Sequence, residues 1–158
     1  MPKPGRSDRT TMEADDITLE GVAEYRVDQQ IGFFLRQANQ RHVAIFTGRM
    51  GDRLTTTQWA ALSKLKEIQP TSQNQLGRET AMDVATIKGV VDRLVARNLV
   101  RTAPDPTDGR RLVLSLTSQG EETIDRNLVT ARAVSEETLS PLTSGERMML
   151  VELLRKIC

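Results

Sequence analysis

Residues 105–117 read DPTDGRRLVLSLT, and this stretch decides the fold of the middle of the chain. The Asp108–Gly109 pair is a strong turn former, and the alternation of leucine with smaller residues after it is typical of a strand. The preceding segment LVRTA, residues 99–103, is also strand-prone, so the two segments predict a β-hairpin. A hairpin tip does not need paired arginines, and Arg110 and Arg111 raise the question of what they contact.

The segment before the hairpin, DVATIKGVVDRLVARN at residues 83–98, has the periodicity of an amphipathic helix. Its predicted apolar stripe comprises Val84, Ile87, Val91, Leu94 and Val95. The other face carries Thr86, Lys88, Gly89, Asp92, Arg93 and Arg97. A short helix precedes it, opened by a Ser72-x-x-Gln75 capping-box pattern. A short helix, a tight turn, an amphipathic helix and a hairpin together predict a winged helix-turn-helix.

Amphipathic helices are also predicted on both sides of this unit. A long one covers Ile31, Phe34, Leu35, Ala38, His42, Ile45 and Phe46, and ends near residues 48–51. Others begin at capping-box patterns at Thr55-x-x-Gln58, Ser118-x-x-Glu121 and Thr143-x-x-Glu146. The predicted fold is mainly α with a small β-hairpin wing, a winged helix-turn-helix plus a helical dimerisation region.

The predicted domain organisation has three parts. Residues 1–16 read as a disordered arm, because proline, glycine, serine and charged residues dominate them. A short helix or packed arm follows at residues 17–27. Residues 17–54 and 118–158 are predicted to form the helical dimerisation region, and residues 55–117 the DNA-binding domain.

Composition excludes several classes of protein. The single cysteine, Cys158, excludes a disulfide framework and a cysteine-rich zinc site, so no metal or other cofactor is predicted. With one histidine and no glycine-rich phosphate loop, an enzyme is disfavoured. No apolar run approaches the ~20 residues of a membrane span, and the amino end does not resemble a signal peptide. A cytoplasmic protein is therefore expected.

The net charge of +1 gives no global argument for a nucleic-acid partner, so any basic surface must be local. Between Ser72 and Arg111 there are seven basic and five acidic residues, a modest excess. Affinity for DNA would therefore depend on positioned arginines rather than on bulk charge.

Residues 86–120, TIKGVVDRLVARNLVRTAPDPTDGRRLVLSLTSQG, resemble the MarR-type transcriptional regulators. The family's motifs fall in order and at the right spacing, at Val91–Leu94, Leu99–Arg101, Asp108-Gly109-Arg110 and Leu116–Gly120. The resemblance implies an obligate homodimer that binds pseudo-palindromic operator DNA, usually as a repressor released by a small ligand. Gly89 departs from many relatives, which carry a longer polar or basic side chain there. Base readout is therefore expected to lean on Thr86 and Lys88.

The candidate DNA-binding residues lie on both predicted helices and on the wing: Ser72, Gln73, Gln75, Thr86, Lys88, Gly89, Arg93, Asp108, Arg110 and Arg111. Arg110 is expected to enter a minor groove, with Asp108 holding its guanidinium in a bidentate pair. Arg111 is expected to contact a phosphate. At the wing, the alternative is that Asp108 only makes the turn and that Arg110 is a solvated charge. On the helices, the alternatives are that the α-helical face is only solvated, that Ser72, Gln73 and Gln75 only cap, and that Arg93 pairs with Asp92 or a neighbouring element.

The candidate effector residues are Arg36, His42, Phe46, Arg49 and Trp59. A lone histidine on an apolar face is more often a core or interface residue. The resemblance, however, implies an effector crevice between the dimerisation helices and the winged helix. A small aromatic carboxylate or phenol is the expected effector. The alternative function is a winged-helix protein-interaction module without DNA binding.

Overall fold

A computed structural model describes residues 25–158 of the chain. The elements, in chain order, are a 3-10 turn (Val27–Gln29), α1 (Ile31–Arg49), α2 (Thr56–Ile68), α3 (Gln73–Glu79), α4 (Val84–Ala96), β1 (Val100–Pro104), β2 (Leu112–Leu116), α5 (Ser118–Thr138) and α6 (Ser144–Ile157). The predicted mainly α fold with one hairpin is confirmed. The arm predicted for residues 1–16 lies outside the described residues, as does most of the segment at 17–27.

The chain divides into two compact units, Met1–Asn39 and Gln40–Cys158. In the described part of the first unit, Arg26 forms an exposed ion pair with Asp28 at 2.8 Å. The second unit contains the winged helix-turn-helix.

The core of the second unit is built around α2, whose Leu62 and Leu65 are fully buried. Helix α4 contributes Ile87, Val90, Val91 and Leu94. The predicted stripe was wrong at its two ends, since Val84 is 72% and Val95 40% exposed. At 3.6 residues per turn, both lie to one side of the line through Ile87 and Leu94, and Val90 occupies the opposite flank.

The hairpin is antiparallel, with Val100 opposite Leu116 and Pro104 opposite Leu112. Thr71, just before α3, extends this sheet by pairing with Leu114, through N–O distances of 3.1 and 2.7 Å. Leu114 and Leu116 are buried, whereas Leu112 is exposed because the wing extends past the core at that point. The base of the wing is therefore fixed to the helix-turn-helix.

Side-chain caps set most of the helix starts. The capping boxes of Thr55 with Gln58 and of Thr143 with Glu146 are both complete, as predicted. At α3, Ser72 accepts the Gln75 backbone N–H at 3.2 Å, but the Gln75 side chain donates to Glu79 at 2.7 Å instead. Only half of that predicted box is formed.

The predicted cap of α5 was wrong by one residue. Thr117, not Ser118, is the N-cap, and its hydroxyl accepts the Gly120 backbone N–H at 3.0 Å. The same hydroxyl donates to the Asn98 carbonyl at 2.6 Å, which ties the start of α5 to the end of the recognition region. This second bond depends on the tertiary fold, so the local pattern did not indicate it.

Helix α6 buries none of its residues in the single chain. Its exposed large apolar residues are Met148, Met149, Val151, Leu153 and Ile157. Helix α5 adds Leu128 and Val129, the latter 75% exposed. Within residues 25–158, no helix is both long and apolar enough to cross a membrane.

Candidate nucleic-acid interface

The start of α4 is organised by Asp83. Its carboxylate accepts the Thr86 backbone N–H at 2.8 Å and the Thr86 hydroxyl at 2.7 Å. These two bonds, the backbone one first, hold the pKa of Asp83 below its usual range. Because the hydroxyl proton is used by Asp83, Thr86 presents a methyl group and oxygen lone pairs to the outside. That chemistry suits a thymine methyl or a base amino group.

The next turn of α4 carries Lys88, Gly89 and Arg93. Lys88 pairs with Asp92 at 2.6 Å, and both side chains are more than half exposed. Such pairs contribute little and are readily exchanged for another anion. Arg93 does not pair with Asp92; its Nη1 donates to the Gly89 carbonyl at 3.2 Å. The guanidinium therefore lies over the glycine.

Nothing in the fold requires a glycine at position 89. A Cβ atom built there would have Arg93 Nη1 as its nearest neighbour, at the ordinary contact distance of 3.5 Å. A glycine inside a helix costs about 0.5–1 kcal/mol relative to alanine. Gly89 therefore lowers the stability of α4, and its packing contacts do not explain why a glycine is present.

The wing tip differs from the predicted arrangement. The Asp108 carboxylate accepts the backbone N–H of Arg110 at 3.1 Å and pairs with the side chain of Arg111 at 3.3 Å. The predicted bidentate pair between Asp108 and the Arg110 guanidinium is therefore wrong. The turn itself causes this, because Arg111 N donates to the Asp108 carbonyl at 2.9 Å and brings the Arg111 side chain back over the carboxylate.

Asp105 fixes the other side of the tip. Its carboxylate accepts the backbone N–H and the hydroxyl of Thr107, at 2.8 and 2.7 Å. These bonds, in that order, lower the pKa of Asp105. Across residues 25–158, no carboxylate forms an ion pair with the Arg110 guanidinium, and the residue is exposed. The tip therefore has a fixed backbone that presents Arg110 to solvent.

A groove of about 450 Å³ separates the start of α3 from the wing, and it is lined by Ser72, Gln73, Asn74, Arg78, Arg111 and Leu112. The structure thus brings Ser72 and Gln73 beside Arg111, as expected of a common interface. Gln75 is engaged within its own helix, where it contacts Glu79 and Arg78. Asn74 and Arg78 were missed by the sequence interpretation, although their i, i+4 spacing places them on one face of the helix.

His42 is held by the end of α5. Its Nδ1 lies 3.0 Å from Thr138 Oγ1, and that hydroxyl lies 2.8 Å from the Val134 carbonyl. Since a carbonyl can only accept, we assign the Thr138 proton to the bond with Val134 and the Nδ1–H of His42 to the bond with Thr138. With this assignment Nε2 is the ring atom that is able to accept.

Of the other candidate effector residues, Phe46 lies beside His42, and the rest make other contacts. The His42 and Phe46 rings are 6.3 Å apart, and Phe46 is buried. Arg49 forms an ion pair with Glu137, and Trp59 packs against the core. Arg36 belongs to the Met1–Asn39 unit, where its guanidinium carbon lies 5.4 Å from the Phe33 ring centre. Its predicted role stays a prediction.

Residues 25–158 contain no group of three or more histidine, cysteine, aspartate or glutamate side chains arranged to hold a metal ion. Polar groups held in place by hydrogen bonds lie on α3, α4 and the wing.

Comparison with known proteins agrees with this geometry. The MarR family model matches residues 54–111. The chain is 43% identical to the HTH-type transcriptional repressor NicR of Pseudomonas putida, over 84% of this chain and 85% of the relative.

A probable transcriptional regulator from Pseudomonas aeruginosa superposes with a TM-score of 0.82 at 51% identity, covering 84% of this chain and all of that one. BpsR of Bordetella bronchiseptica, described as regulated in its DNA binding by 6-hydroxynicotinic acid, superposes with a TM-score of 0.81 at 35% identity, over 85% and 97% of the two chains. The chain belongs to the MarR family and is a DNA-binding transcriptional regulator.

Proposed function

We propose that the protein is a cytoplasmic homodimeric repressor that binds a pseudo-palindromic operator and releases it when a small aromatic acid binds. The observation that carries the proposal is the exposure of Thr86, Lys88 and Arg110 on a recognition helix and wing whose backbones are held by caps and turns. Groups that are fixed in place but not covered by the chain are suited to contact an external polyanion.

The DNA contacts divide by chemistry. Thr86 and Lys88 are proposed to meet base edges in the major groove, and the absence of a side chain at Gly89 is proposed to allow their close approach. Arg110 is proposed to enter the minor groove, where narrow A·T-rich segments attract a guanidinium. Arg93 and Arg111, with Ser72, Gln73 and Gln75, are proposed to contact phosphates. Asp108 acts indirectly, because it holds the backbone of Arg110 and the side chain of Arg111.

The dimer is proposed to form through residues 17–54 and 118–158, and residues 55–117 form the DNA-binding domain. The exposed apolar side chains of α6 support this arrangement, because so many on one short helix are expected only where another surface covers them. Two-fold symmetry would then place two recognition helices about 34 Å apart, in successive major grooves.

The effector is proposed to be a small aromatic ring that carries a carboxylate and a hydroxyl. Regulation of BpsR by 6-hydroxynicotinic acid supports this class of compound. His42 Nε2 is the atom that would accept from a ring hydroxyl, beside the Phe46 ring, with Trp59 near the core on α2. An effector carboxylate at Arg49 would compete with Glu137 and so loosen α1 from α5.

The test of DNA binding is selection of duplexes from a random-sequence pool, followed by a salt titration of the selected operator. A two-fold symmetric sequence is expected, with affinity that falls steeply as salt rises. Binding to no duplex at low salt would contradict the repressor function and favour a protein-interaction module.

The test of the effector is quenching of Trp59 fluorescence by 6-hydroxynicotinic acid, with a saturated cyclic carboxylate as the control. We expect quenching and release of the selected operator by the aromatic acid only. The variant His42→Phe keeps a ring but removes the acceptor, and should weaken the response about tenfold, the cost of one lost hydrogen bond. An unchanged response would remove His42 from the effector site.

A further inference from the structure

The turn between α1 and α2, residues 50–54, is held in an unfavourable backbone conformation. Asp52 and Arg53 have φ angles of 56° and 49°, the left-handed region that residues other than glycine seldom occupy. Successive residues of this kind persist only where the surroundings impose them. The contacts of the α1–α2 turn show what those surroundings are.

Helix α5 holds this turn through Asn127, which is only 4% exposed. Asn127 Oδ1 accepts the Gly51 backbone N–H at 3.1 Å, and its Nδ2 donates to the Asp52 carboxylate at 2.7 Å and to the Thr123 carbonyl at 2.9 Å. Arg126 adds a longer contact to the same carboxylate, at 3.3 Å. Both ends of a buried amide are therefore used to fix the turn.

The end of the recognition helix holds the same turn from the other side. Arg97, the C-cap residue of α4, donates from Nη2 to the Asp52 carbonyl and from Nη1 to Gln58 Oε1 at 3.4 Å. Gln58 is itself buried and belongs to the capping box of α2. The sequence pattern places Arg97 on the free polar face of α4, but its guanidinium contacts the α1–α2 turn and the start of α2.

We propose that Asp52, Arg97 and Asn127 form a positioning site through which α5 fixes the orientation of the recognition helix. The inference rests on the proposed function, in which α5 belongs to the dimerisation region. One residue, Asp52, links the two helices, its carboxylate to α5 and its carbonyl to α4. In the dimer this site sets the separation of the two recognition helices, so it determines which half-site spacing the protein accepts. Arg97 contributes to operator recognition without contacting DNA.

The test compares Arg97→Gln with Arg93→Gln, which removes the same charge from the same helix at a proposed phosphate contact. The probes are the operator that the parent selects from a random pool and versions with one base pair added or removed between the half-sites. For Arg97→Gln we expect the preference for the selected spacing to fall by about 2- to 30-fold, the range of coupling between distant sites. Its salt slope should equal that of the parent, whereas Arg93→Gln should lower the slope by about 2, because each protomer of the dimer loses one phosphate contact.

The variant Asp52→Gly gives an independent trial, because glycine keeps the positive φ angle at no cost and removes only the link to α5. It should show the same weakened spacing preference, with parent-like circular dichroism and dimer mass. If both folded variants keep the parent's spacing preference, the positioning site does not exist. A lower salt slope for Arg97→Gln would make Arg97 a DNA contact instead. If the parent itself enriches no sequence, the proposed function fails and this inference with it.

Discussion

Gly89 lies at a position of the recognition helix where a side chain that contacts DNA would be expected. A Cβ atom at this position would lie closest to the Arg93 guanidinium, which donates to the Gly89 carbonyl. An alanine would fit without displacing backbone. No packing contact explains the stability lost to a glycine here, whereas the close approach to DNA proposed above would explain it.

The variant Gly89→Ala should be more stable than the parent but should bind the selected operator more weakly. The free energy of unfolding should rise by about 0.5–1 kcal/mol, since alanine is the better helix former. Affinity for the selected operator should fall, by about 5- to 150-fold if one base-pair contact is lost, while non-specific binding stays constant. Thermal unfolding and fluorescence anisotropy measure the two effects. Parent-like operator affinity in this variant would remove Gly89 from the interface.

Alanine substitutions of the two wing arginines should weaken DNA binding in different ways. Arg110→Ala should weaken binding to the selected operator most where an A·T-rich segment faces the wing, because its proposed contact depends on minor-groove width. Arg111→Ala should weaken binding to all duplexes alike and reduce the salt slope by about 2, because each protomer of the dimer loses one phosphate contact. The comparison uses operators whose flanks are changed from A·T to G·C. If Arg110→Ala lost the same affinity for operators with A·T flanks as for operators with G·C flanks, the minor-groove role would be contradicted.

At the wing tip the sequence predicted a carboxylate that positions an arginine, but it assigned the wrong arginine. Spacing along the chain gives Asp108 two basic neighbours, and only the turn geometry decides between them. The hydrogen bond from Arg111 N to the Asp108 carbonyl folds Arg111 back and leaves Arg110 outward. Turn type depends on backbone angles that the residue pattern restricts without fixing.

At the scale of elements, the start of α5 depends on a close approach. A Cβ atom at Gly120 would lie 2.1 Å from the Leu99 carbonyl oxygen, a backbone atom that cannot move aside cheaply. Thr117 N also donates to that carbonyl, at 3.1 Å. The glycine that ends the Leu116–Gly120 motif thus lets α5 begin directly against the residue that precedes β1.

We therefore expect Gly120→Ala to destabilise the fold by about 1–3 kcal/mol or more, the usual cost of overpacking. Ser118→Ala, two residues earlier in the same helix, is the control and should change stability by less than about 0.5 kcal/mol, since Ser118 is exposed and is not the cap. Chemical denaturation of both variants measures the difference. A fully stable Gly120→Ala variant would mean that α5 and the wing shift apart at little cost.

At the scale of the whole molecule, local sequence patterns were sufficient to predict the helices and strands. They were insufficient to predict the contacts between those elements. Capping patterns and apolar periodicity located α2, α4 and α6 and the hairpin. They did not indicate that Thr123 and Asn127 are buried, because a polar residue in a helical pattern is expected to face water. Partners such as the Asp52 turn, 75 residues away from Asn127, become visible only in the folded chain.

Helix α6 of a single chain leaves Met149 55%, Leu153 49% and Ile157 67% exposed, so a partner surface is expected to cover them. Leu153→Glu should place a charge in that interface and shift the protein from a dimer toward the 17.6 kDa single chain. Glu152→Gln, the adjacent exposed position, should leave the dimer intact.

Sedimentation across a range of protein concentrations would measure both variants, and the selected operator would report the consequence for DNA. A monomer retains one recognition helix and one wing, so Leu153→Glu should lose the advantage of a two-half-site operator over a single half-site. Its non-specific binding should weaken far less. A parent protein that sediments as a monomer while binding the full operator would show that α6 does not hold a dimer in solution and that the two-fold arrangement forms only on DNA.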